Sequence, residues 1–368
     1  MNRLQQLYAE HGQSPWLDNL KRGYITSGQL ARLRDDGIRG LTSNPTIFQK
    51  AIEGSADYDD EFRSLVRAGV DVVDDYWALV TSDILGALDV LAPVHDASSG
   101  GDGFASIEVA PSLARDTEGT IAAARALHQR INRPNLMVKI PGTAEGVPAI
   151  RAMIAEGRNI NVTLIFGLGG YEDVLEAYVS GLEQFATTPG TDLARVASVG
   201  SFFISRVDTE VDRRLEAIGS PDALALRGKA AIAQGKLAYQ LFLRKFRGAR
   251  WEALAARGAR VQRPLWASTS TKNPAYPDTV YVDNLIGPDT VNTLPEATIE
   301  AFLDHGTLAR TVDADVDEAE RVWKALTVVG VDLDDVARKL EDEGVASFTK
   351  SFDELIGSLA AKAAELKA

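Results

Sequence analysis

The chain contains no cysteine. Disulfides, thiolate nucleophiles and Cys-ligated zinc are thereby excluded. Its four histidines, His11, His95, His128 and His305, are scattered without ligand spacing, so they suggest no zinc site. Positive charge is also scarce. There are 39 Lys and Arg against 52 Asp and Glu, a net charge of −13. Such a chain is a poor general nucleic-acid binder, because phosphate backbones are held by clustered Lys and Arg. A local cationic pocket for one small phosphate stays open. No run of about 18 apolar residues stands out, and the start, Met1-Asn-Arg-Leu-Gln-Gln-Leu-Tyr8, lacks an apolar signal core. The expectation is a cytoplasmic protein with no membrane partner. No dividing linker, internal repeat or low-complexity segment appears, so residues 1–368 are expected to form a single domain.

What is present is ordinary globular material, 45% hydrophobic and 25% charged. Strand-like and helix-like segments alternate. The candidate strands are Ser14–Leu20, Ile38–Asn44, Phe104–Val109, Asn135–Pro141, Asn159–Phe166, Val196–Ile204, Pro264–Ser268 and Thr279–Asn284. Alternation implies a parallel sheet, and eight strands at this length favour a closed (β/α)8 TIM-type barrel over an open sheet. The fold class expected is therefore α/β, with helical insertions. A helical C-terminal extension is expected from about residue 315, broken at Gly330 and Gly344.

Lys139 stands out because it sits inside the apolar run Leu136-Met-Val-Lys-Ile-Pro141. A lysine there is costly unless it is neutral, paired or functional. Side chains alternate faces along a strand. Leu136, Val138 and Ile140 then share an outer face, and Met137 and Lys139 an inner one. The same alternation, with Ile160, Val162 and Leu164 outward, brings a polar set to the inside. That set is Asp18, Asn44, Glu108, Lys139, Asn161, Thr163 and Ser201, near the C-terminal mouth where barrels of this kind place active sites.

This set has a definite chemical capacity. A lysine amine attacks a carbonyl only when deprotonated, and a Schiff base so formed acts as an electron sink for cleaving a neighbouring C–C bond. Forming and hydrolysing it requires an acid/base and a water, which Glu108 and Thr163 can hold. Cleavage beside a hydroxyl requires a second acid/base, for which Asp18 is the free candidate. Asn44, Asn161 and Ser201 can fix substrate hydroxyls. The competing explanation for Lys139 is a buried ion pair with Glu108. For Asn44, directly before Pro45, it is a helix N-cap.

Three segments resemble the transaldolase family. Gly40-Leu-Thr-Ser-Asn-Pro-Thr-Ile-Phe48 resembles its N-terminal signature, and Leu136-Met-Val-Lys-Ile-Pro-Gly-Thr-Ala-Glu-Gly-Val147 its Schiff-base lysine signature. Asn159-Ile-Asn-Val-Thr-Leu-Ile-Phe166 matches the following strand. The chain's length and Leu265-Trp-Ala-Ser-Thr-Ser-Thr-Lys-Asn-Pro274 are most similar to the longer bacterial-type branch. The resemblance implies transfer of a dihydroxyacetone unit between sugar phosphates in the non-oxidative pentose phosphate pathway. The donor would be sedoheptulose 7-phosphate or fructose 6-phosphate, and the acceptor glyceraldehyde 3-phosphate or erythrose 4-phosphate. No cofactor is implied, and a monomer or homodimer is expected.

By resemblance, Lys139 forms the Schiff base, Asp18 serves C–C cleavage, and Glu108 acts through a water held by Thr163. Asn44 and Asn161 hold the dihydroxyacetone hydroxyls, Ser201 touches substrate, and Arg206 binds phosphate. Where the better-known branch carries a second phosphate-binding arginine, this chain offers Lys272 with Ser270 beside it. Phe203 replaces the tyrosine of related fructose-6-phosphate aldolases. A phenyl ring cannot activate water, which favours transfer over hydrolytic release.

Two other motifs are set aside. Asp313-Ala-Asp-Val-Asp-Glu318 begins like a calcium loop but lacks glycine at its sixth position and an acid at its twelfth, Lys324. Gly167-Leu-Gly-Gly170 fails the glycine spacing of a dinucleotide fingerprint and reads as a strand-to-helix turn.

Overall fold

The computed structural model describes residues 1–367. Eight parallel strands close into a barrel in chain order. They are β1 Gln13–Leu17, β2 Leu41–Thr42, β3 Ala105–Glu108, β4 Leu136–Pro141, β5 Ile160–Ile165, β6 Ser198–Phe203, β7 Gln262–Ala267 and β8 Thr290–Leu294. Helices form the outer layer, giving the expected (β/α)8 architecture. The outward faces of the strands bury Leu136, Val138, Ile140, Val162, Phe202 and Trp266 completely or nearly so. Fully burying an aliphatic or aromatic side chain contributes roughly 1.5–3 kcal/mol. The helices are held on the barrel by many such side chains.

Seven strands fall within or close to their expected segments. The eighth does not. Thr279–Asn284 is rich in β-branched residues, yet Val280–Asp283 is a single helical turn. Thr279 Oγ1 donates to Asp283 Oδ2 at 2.8 Å within the turn, and Tyr281 Oη donates to the distant Asp208 Oδ2 at 2.9 Å, so a local and a tertiary hydrogen bond together override strand propensity. The true β8 follows the turn Gly287-Pro288-Asp289, where Asp289 adopts a left-handed φ of 57°. Its half-polar sequence hides it, but its two threonine hydroxyls and the Asn292 side-chain carbonyl are hydrogen-bonded. Thr293 bonds Thr42 at 2.7 Å, and Asn292 accepts from Thr269 at 2.8 Å.

Alternation also fails once within β5. The β5–β6 register shifts between Val162 and Ile165, and Leu164 has a φ of 58°. This bulge returns Ile165, rather than Leu164, to the face of Val162. Leu164 turns instead toward Gly344.

Gly344 was expected to break a helix. It lies within the continuous helix Leu333–Lys367. A Cβ at Gly344 would stand 2.9 Å from Leu164 Cδ2, so the missing side chain allows a close approach to the barrel mouth. The break at Gly330 is real, since helix Val316–Val328 ends just before it and its φ is 101°. Gly167 is the N-cap of helix Leu168–Phe185, the expected strand-to-helix turn.

Helix Val72–Ala97 corrects the reading of apolar runs. By length and composition alone it could cross a membrane, although Asp74, Asp75, Asp83 and Asp89 interrupt it. It packs as a core helix. Leu79, Val80, Ile84, Ala87, Leu88 and Leu91 are buried, and Asp83 accepts from Arg22 Nε at 2.8 Å and Tyr58 Oη at 2.7 Å.

Candidate active site

The parallel register assembles the central group directly. β3 and β4 pair Glu108 with Lys139, and β4 and β5 pair Lys139 with Asn161 and Pro141 with Thr163. Lys139 is 5% exposed. Its Nζ donates to the Ser43 carbonyl at 2.9 Å and lies 3.2 Å from Glu108 Oε2. Burial pushes the Glu108 carboxyl above the usual range, against the lowering pull of Lys139. The buried Lys–Glu pair is thus present, and Lys139 also faces a cavity.

That cavity, of about 300 Å³, opens at the C-terminal mouth of the barrel. Asp18, Asn44, Lys139, Thr163, Ser201, Phe203, Arg206, Ser270 and Lys272 all line it. Glu108 and Asn161 do not. Glu108 sits behind Lys139. Asn161 lies fully buried beneath, donating to Ser106 Oγ at 3.0 Å and accepting from Ser201 Oγ at 2.7 Å. Asn161 therefore braces Ser201, with its amide already engaged.

Asp18 follows β1 directly, its N–H donating to the Leu294 carbonyl at 2.9 Å. Its Oδ1 accepts from Thr42 Oγ1 at 2.8 Å, and Thr42 also bonds Thr293. Burial raises its pKa; Lys139, the Thr42 hydrogen bond, Lys272 and Arg206 oppose the rise. A carboxyl so placed can hold or release a proton nearer neutrality than a solvated aspartate. Thr163 Oγ1 is buried and has no hydrogen-bond partner among the described residues, which leaves it available to a small polar guest.

Asn44 caps helix Pro45–Glu53. Its Oδ1 accepts from the Ile47 N–H at 3.0 Å. The cap fixes the side chain, and its amide nitrogen remains a donor at the cavity wall. Capping and lining are thus compatible roles for one residue.

The rim is cationic. Arg206 follows β6, and its guanidinium lies 5.4 Å over the Phe203 ring. Lys272 Nζ donates to Ser270 Oγ at 2.6 Å. Burial holds both cations below their ordinary pKa values, and for Lys272 the neighbouring Arg206 and Lys50 push the same way. Cations arranged against one another in this way suit an anionic group between them.

Several lining residues escaped sequence reasoning: Thr46, Ile47, Lys50, Ser268, Thr293, Ser347 and Phe348 among them. Lys50 carries a legible signal, because it lies three and four residues after Ile47 and Thr46 and so shares their helix face. Ser268, with a left-handed φ of 56°, carries none, since its conformation is set by the β7 exit. Ser347 and Phe348 come from the helix that Gly344 brings close, and were hidden by reading that glycine as a break.

Residues 15–359 match the Transaldolase/Fructose-6-phosphate aldolase family. The chain is 53% identical over 350 residues to a transaldolase from Parafrankia sp. (strain EAN1pec), covering 95% of each chain. It is 51% identical over 361 residues to one from Frankia alni, covering 98% of this chain and 97% of that one. A transaldolase from Thermobifida fusca is 51% identical over 359 residues, covering 97% of both. With a family match across most of its length and relatives at this identity, the chain belongs to the transaldolase/fructose-6-phosphate aldolase family.

Proposed function

We propose that the chain transfers a dihydroxyacetone unit between sugar phosphates through a Schiff base on Lys139. Membership with relatives of this kind makes it an enzyme that transfers aldehyde or ketone groups. The observation that carries the finer reading is the setting of Lys139. Its amine is buried beside Glu108, faces the mouth cavity, and shares that cavity with Asp18 and a cationic rim.

In this reading Glu108 takes the ammonium proton, and the neutral amine attacks the ketose carbonyl. Loss of water, passed between Glu108 and Thr163, gives the iminium. Asp18 then removes the proton of the hydroxyl on the far carbon of the bond to be cut. The C–C bond breaks, the aldose phosphate leaves, and its bonding electrons enter the iminium to give an enamine. The enamine carbon attacks the carbonyl of an acceptor aldose phosphate, and Asp18 returns the proton to the new alkoxide. Water finally hydrolyses the iminium and restores Lys139. Asn44 and Ser201 orient hydroxyls, with Asn161 positioning Ser201. Arg206 and Lys272, with Ser270 and Lys50, hold the phosphate.

The donor is sedoheptulose 7-phosphate or fructose 6-phosphate and the acceptor glyceraldehyde 3-phosphate or erythrose 4-phosphate, as in the pentose phosphate pathway. The same reading carries a cytoplasmic monomer or homodimer acting on small sugar phosphates without a cofactor.

Borohydride reduction in the presence of fructose 6-phosphate, followed by peptide mass mapping, tests the mechanism. A reduced adduct is expected on Lys139 and is expected to vanish in Lys139→Ala, together with at least a thousandfold of turnover. No adduct would leave only a sugar-phosphate-binding barrel. A fructose-6-phosphate aldolase is the second reading. Phe203 in the cavity wall, with no ionisable hydroxyl, argues against it. Rapid cleavage of fructose 6-phosphate without an acceptor would reverse that choice.

A further inference from the structure

Thr293 stands in the wall of the transfer cavity, and the transfer steps leave it unassigned. It is 2% exposed. Its hydroxyl has one hydrogen-bond partner among the described residues, Thr42 Oγ1 at 2.7 Å. Burying a hydroxyl is costly unless it is bonded, and valine would fill the same volume in a strand without that cost. The use of this hydroxyl therefore lies in its one bond.

Three segments meet here. Thr42 comes from β2, Asp18 follows β1, and Thr293 lies in β8, which pairs with β1 on the side away from β2. Thr42 Oγ1 bonds both of the others, Asp18 Oδ1 at 2.8 Å and Thr293 Oγ1. A hydroxyl carries a single proton, and a carboxylate only accepts. The Thr42 proton must then point to Asp18, and Thr293 must supply its own proton to Thr42. The polarity Thr293 to Thr42 to Asp18 follows from valence, and each bond in such a chain strengthens the next. No other hydrogen bond reaches the Asp18 carboxylate among the described residues.

That polarity bears on the reaction. Asp18 has to take a proton from one hydroxyl and return it to another oxygen. With Oδ1 committed as an acceptor, the proton it takes rests on Oδ2, the oxygen that the threonines leave unbonded. With Thr42 turned away from Asp18, the proton could settle on either oxygen.

We propose that Thr293 is a positioning residue for the transfer. On the reading that Asp18 is the acid/base of C–C cleavage, the Thr293 hydroxyl fixes the direction of the Thr42 bond and so holds Asp18 ready as a base.

The charged groups facing Asp18 are Lys139 from β4, Arg206 from the helix after β6 and Lys272 from the loop after β7. None of them is hydrogen-bonded to Thr293, so substitution there leaves them in place, as it does Glu108 behind Lys139. A weakened Thr42 bond favours the carboxylate less, and Asp18 then gives up its proton only at higher pH.

The test follows transfer from fructose 6-phosphate to erythrose 4-phosphate as a function of pH. In Thr293→Val the acid limb of kcat is expected to move up by about half a pH unit, a loss of about threefold on that limb with a near-native alkaline plateau. Thr293→Ser is expected to restore the native profile. Thr42→Val should move the limb at least as far, and Thr42→Val/Thr293→Val no further than Thr42→Val alone, because one hydroxyl acts through the other. An unmoved limb, an equal loss at every pH, no rescue by serine, or additive shifts in the double variant each overturn the proposal. If Thr293→Val does not fold, Thr293→Ala carries the same comparison. Borohydride trapping runs in parallel, with a native-level adduct on Lys139 expected in Thr293→Val, since the Schiff base forms before Asp18 acts. No adduct in the native protein would overturn the Schiff-base reading and this proposal with it. A native adduct with an unmoved limb would overturn this proposal alone.

Discussion

Removing Lys139 does more than delete a nucleophile, because Glu108 is left buried behind it. Breaking a buried pair by deleting one partner costs about 3–5 kcal/mol when the remaining charge cannot escape. Glu108 can escape by taking up a proton. Its pKa is already raised in the folded chain by burial, and Lys139 is the group pulling it down. A carboxyl raised on folding contributes stability that is present below its unfolded value and lost as pH rises through its folded value. Without Lys139 the rise is larger. Lys139→Ala is therefore expected to cost little near pH 5 and about 1–3 kcal/mol more near pH 8. Urea denaturation at the two pH values measures this, and Lys139→Ala/Glu108→Gln should lose the difference. A destabilisation equal at both pH values would mean that Glu108 is not the group left stranded. The pairing itself was legible from period-two alternation, because β3 and β4 carry their signature residues in one register. Leu164 was not legible. Its left-handed φ answers a helix nearly 200 positions later in the chain, and no local pattern encodes that.

Elements were legible where local preference and tertiary demand agreed. Asn44-Pro45 announced a helix start and delivered one, with the cap bond in place. Thr279–Asn284 announced a strand, but its tyrosine and threonine found better partners in Asp208 and Asp283 as a helical turn. Gly344 is the functional case. Glycine in a helix costs about 1 kcal/mol relative to alanine, so its position over Leu164 must return something. What it returns is proximity, which carries Ser347 and Phe348 into the cavity. Gly344→Ala is expected to be near neutral, since its methyl group presses only on the movable end of Leu164, meets Phe166 at ordinary van der Waals distance and gains helix propensity. Gly344→Leu is expected to lift this part of the helix from the mouth and raise KM for phosphorylated donors several-fold, with the thermal midpoint within a few degrees. Steady-state kinetics on the three proteins decides. A native KM in Gly344→Leu would show that the helix does not shape the site.

At the scale of the whole molecule, barrel closure could be inferred from a count of alternating strands, because eight parallel strands with crossover helices have few other ways to bury both faces. The path of the last helix could not, because a stripe pattern says which face is buried and not against what. Leu333–Lys367 spans about 50 Å at 1.5 Å per residue. Val336, Leu340, Phe348, Leu355 and Leu359 are buried along one stripe of three- and four-residue steps. Polar contacts tie it to distant segments: Thr46 to Ser351 at 2.8 Å, Glu53 to Ser358 at 2.7 Å, Arg115 to Asp342 at 2.6 Å and Arg214 to Asp335 at 2.7 Å. Exposed pairs of this sort contribute 0–1 kcal/mol each, so the apolar stripe dominates. Five buried side chains contribute on the order of 10 kcal/mol before conformational entropy, as much as the entire stability of a typical domain. These side chains belong to the same continuous hydrophobic core as the barrel, so detaching the helix opens that core. We infer one folding unit. Urea curves followed by far-UV circular dichroism, tryptophan emission and residual transfer activity should share one midpoint. Trp16 and Trp266 report the barrel interior and wall, Trp323 the helix before the last one, and activity the placement of Ser347 and Phe348. Activity lost at clearly lower urea than ellipticity would show instead that the helix leaves first and that the mouth is closed by a separately folding part.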